Sequence, residues 1–118
     1  MACVIGLDFG SLACRGVLAD VRDGCILAEA EAFYPHGILT ERLPDGTPLA
    51  DNWCLQHPDD YLVVLDQVIP QLLLKSGISP EEIIGIGVDF TASTVIPLDD
   101  QFKPMCHTYP SRYSCRSR

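Results

Sequence analysis

Asp8 is the first residue of the chain whose surroundings could do chemistry. It closes the short apolar run Val4-Ile5-Gly6-Leu7 and lies between Gly6 and Gly10, with Ser11 and then Arg15 following. A carboxylate carried by a buried strand to a glycine-bounded turn is one way to build a phosphate or metal–phosphate site. In such a turn the glycines let the backbone approach a ligand, and N–H groups face phosphate oxygens. The Ser11 hydroxyl adds a donor, Arg15 neutralises charge, and Asp8 holds Mg²⁺ directly or through water. The chain repeats the device further on. Ile83-Ile84-Gly85-Ile86-Gly87-Val88 is a continuous apolar run that ends in Asp89 and leads to the small, hydroxyl-bearing turn Phe90-Thr91-Ala92-Ser93-Thr94. Strand ends in one sheet would let Asp8 and Asp89 face a common cleft. Each also has a plain local reading, Asp8 as a solvated turn carboxylate and Asp89 as a turn cap.

Two familiar nucleotide loops are excluded. No G-x-x-x-x-G-K-[ST] occurs, and Gly6, Gly10 and Gly16 do not form G-x-G-x-x-G. After the turn, Gly16-Val17-Leu18-Ala19-Asp20-Val21 alternates like a strand, where a dinucleotide-binding unit needs a helix. The first turn therefore belongs to a hairpin.

The elements that must position these residues follow from periodicity. Asp23-Gly24 marks a second tight turn, and Cys25 to Phe33 alternates cleanly, so three antiparallel strands open the domain with a second, mostly buried sheet face. From Tyr34 to Gln56 periodicity disappears in a stretch rich in Pro and Gly. Within it His36 reads as a polar loop side chain and Trp53 as a core-capping aromatic in preference to ligand contacts. A helix begins at Pro58, with Asp59 and Asp60 at its positive end and Tyr61, Val64, Leu65, Val68 and Leu72 on one stripe. Lys75 and Gly77 end it, and Pro70 is expected to kink or split it. Ser79-Pro80-Glu81-Glu82 has the form of a capping box. The run to Asp89 is expected to be a strand buried on both faces, and Val95-Ile96-Pro97-Leu98 another strand.

Composition narrows the class. The chain has 118 residues, 47% hydrophobic and 20% charged, enough for one domain with a real core. A net charge of -8 supplies no basic face for nucleic acid, although an acidic protein still binds ATP when Mg²⁺ and local N–H groups outweigh its global field. No apolar run approaches the roughly 18 residues of a membrane span, so the chain reads as cytoplasmic, without a nucleic-acid or membrane partner. Six cysteines without a secretion signal read as reduced, mostly buried thiols. Cys3, Cys14 and Cys25 are evenly spaced, but neither C-x-x-C pairs nor a nearby His supports zinc.

The opening Gly6-Leu7-Asp8-Phe9-Gly10-Ser11-Leu12-Ala13-Cys14-Arg15 resembles the G-x-D-x-G-[TS]-x-S-x-R motif of the FGGY carbohydrate kinases. Tyr34-Pro35-His36-Gly37, the stretch from Trp53 to Tyr61, and Gly85 to Thr94 are similar to the ribulokinase branch, which phosphorylates L-ribulose with ATP. The resemblance implies an α/β chain of the ribonuclease H-like, actin-like ATPase fold: a partial N-terminal domain with a three-strand antiparallel meander, a helix and a further buried strand. It implies that Asp8 helps hold Mg²⁺ and that Gly10, Ser11 and Arg15 contact ATP phosphates. By the same resemblance Asp89 and the turn Thr91-Ala92-Ser93 line the sugar pocket. Ala13 departs from the motif, removing one hydroxyl but leaving the turn intact.

The match runs from about Cys3 to about Met105. Residues 1–105 are thus expected to be the N-terminal part of the first kinase domain, and 106–118 a non-matching, frayed tail of a truncated or frame-shifted product. In the family the catalytic base and the adenine-binding domain lie beyond such a segment, so no catalytic residue is assigned and the isolated chain is expected to be inactive. The alternatives are a non-catalytic fragment that binds sugar weakly or self-associates through an exposed sheet edge, another FGGY kinase such as a xylulokinase, or an unrelated actin-like ATPase.

Overall fold

The computed structural model describes residues 1–91 and 94–108. Strands β1 (Cys3–Phe9), β2 (Ala13–Asp20) and β3 (Ile26–Phe33) form the expected antiparallel meander. The short ribbon β4 (Ile38–Leu39) and β5 (Leu55–Gln56) follows, then helix α1 (Pro58–Ser76), strand β6 (Ile83–Phe90) and the single turn α2 (Met105–Thr108). β6 returns parallel to β1, giving a four-stranded sheet in the order β3-β2-β1-β6. Among the described residues no helix is long and apolar enough to cross a membrane.

One face of the sheet and one stripe of α1 make the core. Cys3, Ile5, Leu7 and Phe9 of β1 alternate inward, as do Cys14 and Leu18 of β2 and Ala28, Ala30 and Ala32 of β3. Val64, Val68 and Leu72 meet them at four- and eight-residue spacing and are fully buried. The helix lies over β2 and β3, where small side chains let it come close. Gly16 is the tightest point: a Cβ there would fall 2.5 Å from Val68 Cγ1 and 2.9 Å from Leu72 Cδ1.

α1 starts at Pro58 and stops at Gly77 as the sequence indicates, and the structure adds a cap at its start. His57 caps the first turn by accepting from the Asp59 N–H at 3.2 Å, and Gly77 closes the last with φ 70° and an N–H donated to Leu73 O. Lys75 Nζ donates to the Glu29 carbonyl of β3 at 2.8 Å, tying the helix end to the sheet.

Several expectations are corrected. Pro70 does not split α1, which runs unbroken for 19 residues. Pro70 is on the exposed side, so the carbonyl it leaves unpaired meets water, while Val64, Val68 and Leu72 hold both halves against the sheet. β6 is not buried on both faces: Ile84, Ile86, Val88 and Phe90 are 64%, 55%, 58% and 68% exposed. Among the described residues it is the edge strand, and α1 packs on β2 and β3 instead. The opposite sheet face, with Arg15, Glu29 and Glu31, is exposed, not mostly buried.

Val95 to Leu98 forms no regular strand. Pro97 lacks a donor, and the segment turns back at Asp99, whose carboxylate accepts from the N–H groups of Gln101 and Lys103. Only Leu98 bridges, to Pro104. Of the described cysteines Cys3 and Cys14 are buried, whereas Cys25 and Cys54 are exposed. Trp53 is half-buried. Residues 106–108 complete the turn α2, and the remainder of the expected tail lies outside the described residues.

Two outcomes test this packing. Gly16→Ala forces a methyl into Val68 and Leu72 and should destabilise the fold by about 1–3 kcal/mol, measured by urea denaturation. Asp20, buried and accepting from the Arg22 N–H and guanidinium, has its pKa lowered from 3.8 to about 2, chiefly by the Arg22 side chain. The stability it contributes is complete above pH 3.8 and is lost as pH falls toward 2. Asp20→Asn should flatten the pH dependence of the unfolding midpoint in that window.

Candidate functional site

The parallel register of β1 on β6 sets Asp8 beside Asp89, and the antiparallel register of β2 sets Arg15 on the other side of Asp8. Arg15 in turn faces Glu31 of β3. Glu31, Arg15, Asp8 and Asp89 therefore cross the sheet in one row, on the face away from α1. The structure thus brings together the two carboxylates that the sequence placed at separate strand ends.

The ladder is exposed, and its charges are partly matched. Arg15 Nε donates to Glu31 Oε2 at 2.6 Å, and that hydrogen bond favours the charged guanidinium, with the Asp8 charge adding to it. Asp89 Oδ1 accepts its neighbour's Phe90 N–H at 2.8 Å, which is the turn-cap role, while its register still places it beside Asp8. Asp8 is the unclamped acid of the row in the sense that matters for a cation: it is exposed at the strand end and next to a second carboxylate. Hard oxygen donors so arranged suit Mg²⁺.

The turn after β1 is held from three sides. Gly10 N–H donates inside it to Ala13 O at 2.9 Å, so this amide serves the turn itself. A Cβ at Gly10 would stand 3.2 Å from the same oxygen, which is why the position favours glycine. Tyr34 Oη donates to Gly10 O at 2.8 Å, and Gln56 Nε2 donates to Ser11 O at 2.8 Å. Tyr61 Oη bonds Gln56 Oε1, and its ring meets those of Phe9 and Tyr34 edge to face, at 5.8 Å and 5.4 Å. Burial pushes the Tyr34 phenol well above its ordinary range, so it remains a donor at any working pH. With both turn carbonyls drawn toward Tyr34 and Gln56, Ser11 is presented outward and exposed.

The end of β6 closes on the end of β1. Thr91 N–H and Oγ1 both donate to Phe9 O, at 2.9 Å and 3.1 Å, joining the ends of β6 and β1. Phe9, Tyr61, Phe90, Thr91, Thr94 and Ile96 line an open cleft beside this junction. Ala92 and Ser93 lie outside the described residues.

His36, His57 and Asp60 form a cluster whose nitrogen and oxygen ligand atoms all lie within 4.8 Å of one another. His36 is held twice by the buried Asp60 carboxylate, through its N–H at 2.9 Å and Nδ1 at 2.7 Å, and stacks on His57 at 4.3 Å. Near-parallel rings keep their in-plane lone pairs from meeting on one ion. In this arrangement the cluster acts as a strap that fastens the Tyr34–Gln56 excursion to the start of α1.

The sequence reading missed the braces Tyr34, Gln56 and Tyr61. The Gly10 and Ser11 contacts span 24 and 45 residues, and the surrounding Pro- and Gly-rich stretch has no period that would announce them.

No family model matches the chain. It is similar to ribulokinase from Geobacillus thermodenitrificans, 44% identical over 104 residues, covering 87% of this chain and 18% of that one. Among solved structures it is similar to gluconate kinase from Lactobacillus acidophilus, TM-score 0.69, 21% identity, covering 88% of this chain and 18% of that one. A ligand-bound xylulose kinase from the same organism aligns with TM-score 0.69 and 21% identity over 89% of this chain and 19% of the other. The fold is that of the actin-like ATPase sugar kinases. The chain fits an N-terminal portion of an FGGY carbohydrate kinase of the ribulokinase branch, and it spans about a fifth of the length of the curated relatives it matches.

The braces are directly testable. Tyr34→Phe removes one buried hydrogen bond and should cost about 1 kcal/mol in denaturant unfolding. Amide exchange over residues 10–13 should quicken in both Tyr34→Phe and Gln56→Ala, while exchange in α1 stays unchanged.

Proposed function

We propose that this chain forms the phosphate- and sugar-facing part of an ATP-dependent kinase that phosphorylates a ketopentose, with L-ribulose converted to L-ribulose 5-phosphate. The observation that carries the reading is the in-register pair Asp8 and Asp89 at the ends of parallel strands, each followed in the sequence by small residues, in a chain 44% identical over 104 residues to a ribulokinase. Residues 1–105 are the kinase part in this reading.

Asp8 would hold Mg²⁺, whose charge offsets that of the ATP phosphates. The Ser11 hydroxyl and the exposed remainder of the Arg15 guanidinium would face phosphate oxygens, beside Gly10, where the absence of a side chain lets the backbone come close. Asp89 and the turn Thr91, Ala92 and Ser93 would orient the sugar by its hydroxyls. Phosphoryl transfer depends mostly on such positioning and charge stabilisation. In this reading the base for the sugar hydroxyl and the adenine pocket lie outside residues 1–105, as the resemblance implies, so the chain by itself is inactive and its ligand affinity weak. The compartment in this reading is the cytoplasm.

Calorimetric titration of the folded chain with Mg-ATP and with L-ribulose, alongside an ADP-release assay, tests the proposal. The expected result is weak heat with L-ribulose exceeding that with D-xylulose, and no ADP release. ADP release that requires L-ribulose and disappears in Asp8→Ala would show that the transferring machinery is complete within these residues and overturn the half-site reading.

A further inference from the structure

Three successive carbonyls follow β1, and each is held from outside the turn. Gly10 O accepts from Tyr34 Oη and Ser11 O from Gln56 Nε2, both at 2.8 Å, while Leu12 O accepts from the Tyr34 N–H at 2.9 Å. Each carbonyl shares a planar peptide with the N–H of the next residue, and in a trans peptide the two point in opposite directions. Drawing Gly10 O toward Tyr34 therefore turns the Ser11 N–H away from it. Drawing Ser11 O toward Gln56 turns the Leu12 N–H away in the same manner. Among the described residues neither of these N–H groups donates to the chain, whereas the Gly10 N–H is taken by Ala13 O. Consecutive backbone N–H groups left in this way are anion donors.

Gln56 can do this in one orientation only. Ser11 O only accepts, so the Gln56 amide nitrogen must face it, and Oε1 is left to accept from Tyr61 Oη. Tyr61 belongs to the first turn of α1, and its ring meets those of Phe9 and Tyr34 edge to face. The phenol that sets the amide is thus itself held in place.

We propose that Tyr34 and Gln56 are positioning residues that each aim one backbone N–H at the phosphate oxygens of Mg-ATP. Tyr34 aims that of Ser11, and Gln56, its amide set by Tyr61, aims that of Leu12. The inference rests on the kinase reading and adds to it the residues that orient the backbone donors.

Backbone amide shifts of the full chain, titrated with Mg-ATP, test it. In the unaltered chain the Ser11 and Leu12 amides should both move downfield. Gln56→Met, similar in length and without a donor, should abolish the Leu12 response and keep that of Ser11. Tyr34→Phe should do the reverse, and Tyr61→Phe should follow Gln56→Met. Each variant should weaken Mg-ATP binding about threefold to tenfold in the same titration. Tyr61→Phe should add nothing further in the Gln56→Met background. A turn that was merely loosened would lose both responses in every variant, and that result overturns the proposal. So does an unchanged affinity in both Gln56→Met and Tyr34→Phe, an additive loss in the double variant, or an unaltered chain that binds Mg-ATP without moving either amide. An unaltered chain that does not bind Mg-ATP at any concentration overturns the kinase reading itself, and this inference with it.

Discussion

The close seat of α1 on β2 is the contact on which the rest of the structure depends. Val68 and Leu72 approach the sheet so nearly that only glycine fits at position 16, and the alanines of β3 continue the flat floor. Close packing of this kind fixes the helix in angle and in height, because neither partner can slide without opening a void or driving side chains together. From that fixed helix the chain must return to β1, and the crossover places β6 parallel to it. The adjacency of Asp8 and Asp89 thus follows from a packing event on the other side of the sheet.

The same seat organises the turn after β1. Asp60 and Tyr61 lie in the first turn of α1; one anchors His36 and the other bonds Gln56. Tyr34 and Gln56 then hold the carbonyls of Gly10 and Ser11. In the proposed reading this turn faces phosphate, and it would gain from being rigid before the ligand arrives, since no ordering then opposes binding. The long irregular excursion between β3 and α1 acts as a strap across the back of the turn.

The uneven cover of the sheet gives the molecule its polarity. α1 protects β2 and β3, and the ladder face carries charge, so both can meet water or a ligand. β6 has neither protection. Among the described residues its apolar side chains are those of an interior strand placed at an edge.

Much of this was legible in the residues. The alternation of β1 to β3, the Pro58 start and Gly77 stop of α1, and the glycine-bounded carboxylate at Asp8 are local signals, set by strand period, helix capping and the freedom of glycine. The opening motif also resembled that of the FGGY kinases, and the stretch from Trp53 to Tyr61 the ribulokinase branch, a reading that the ribulokinase relatives bear out. Pro70 was misleading because its cost depends on which side of the helix meets water, and β6 because an apolar run specifies a strand without specifying its neighbours. The charge ladder, the bracing of the Gly10–Ser11 turn and the His36–Asp60 strap were decided only by tertiary structure. Each joins residues far apart in the chain, and the register and packing that bring them together are properties of the whole sheet and helix, which no local sequence window contains.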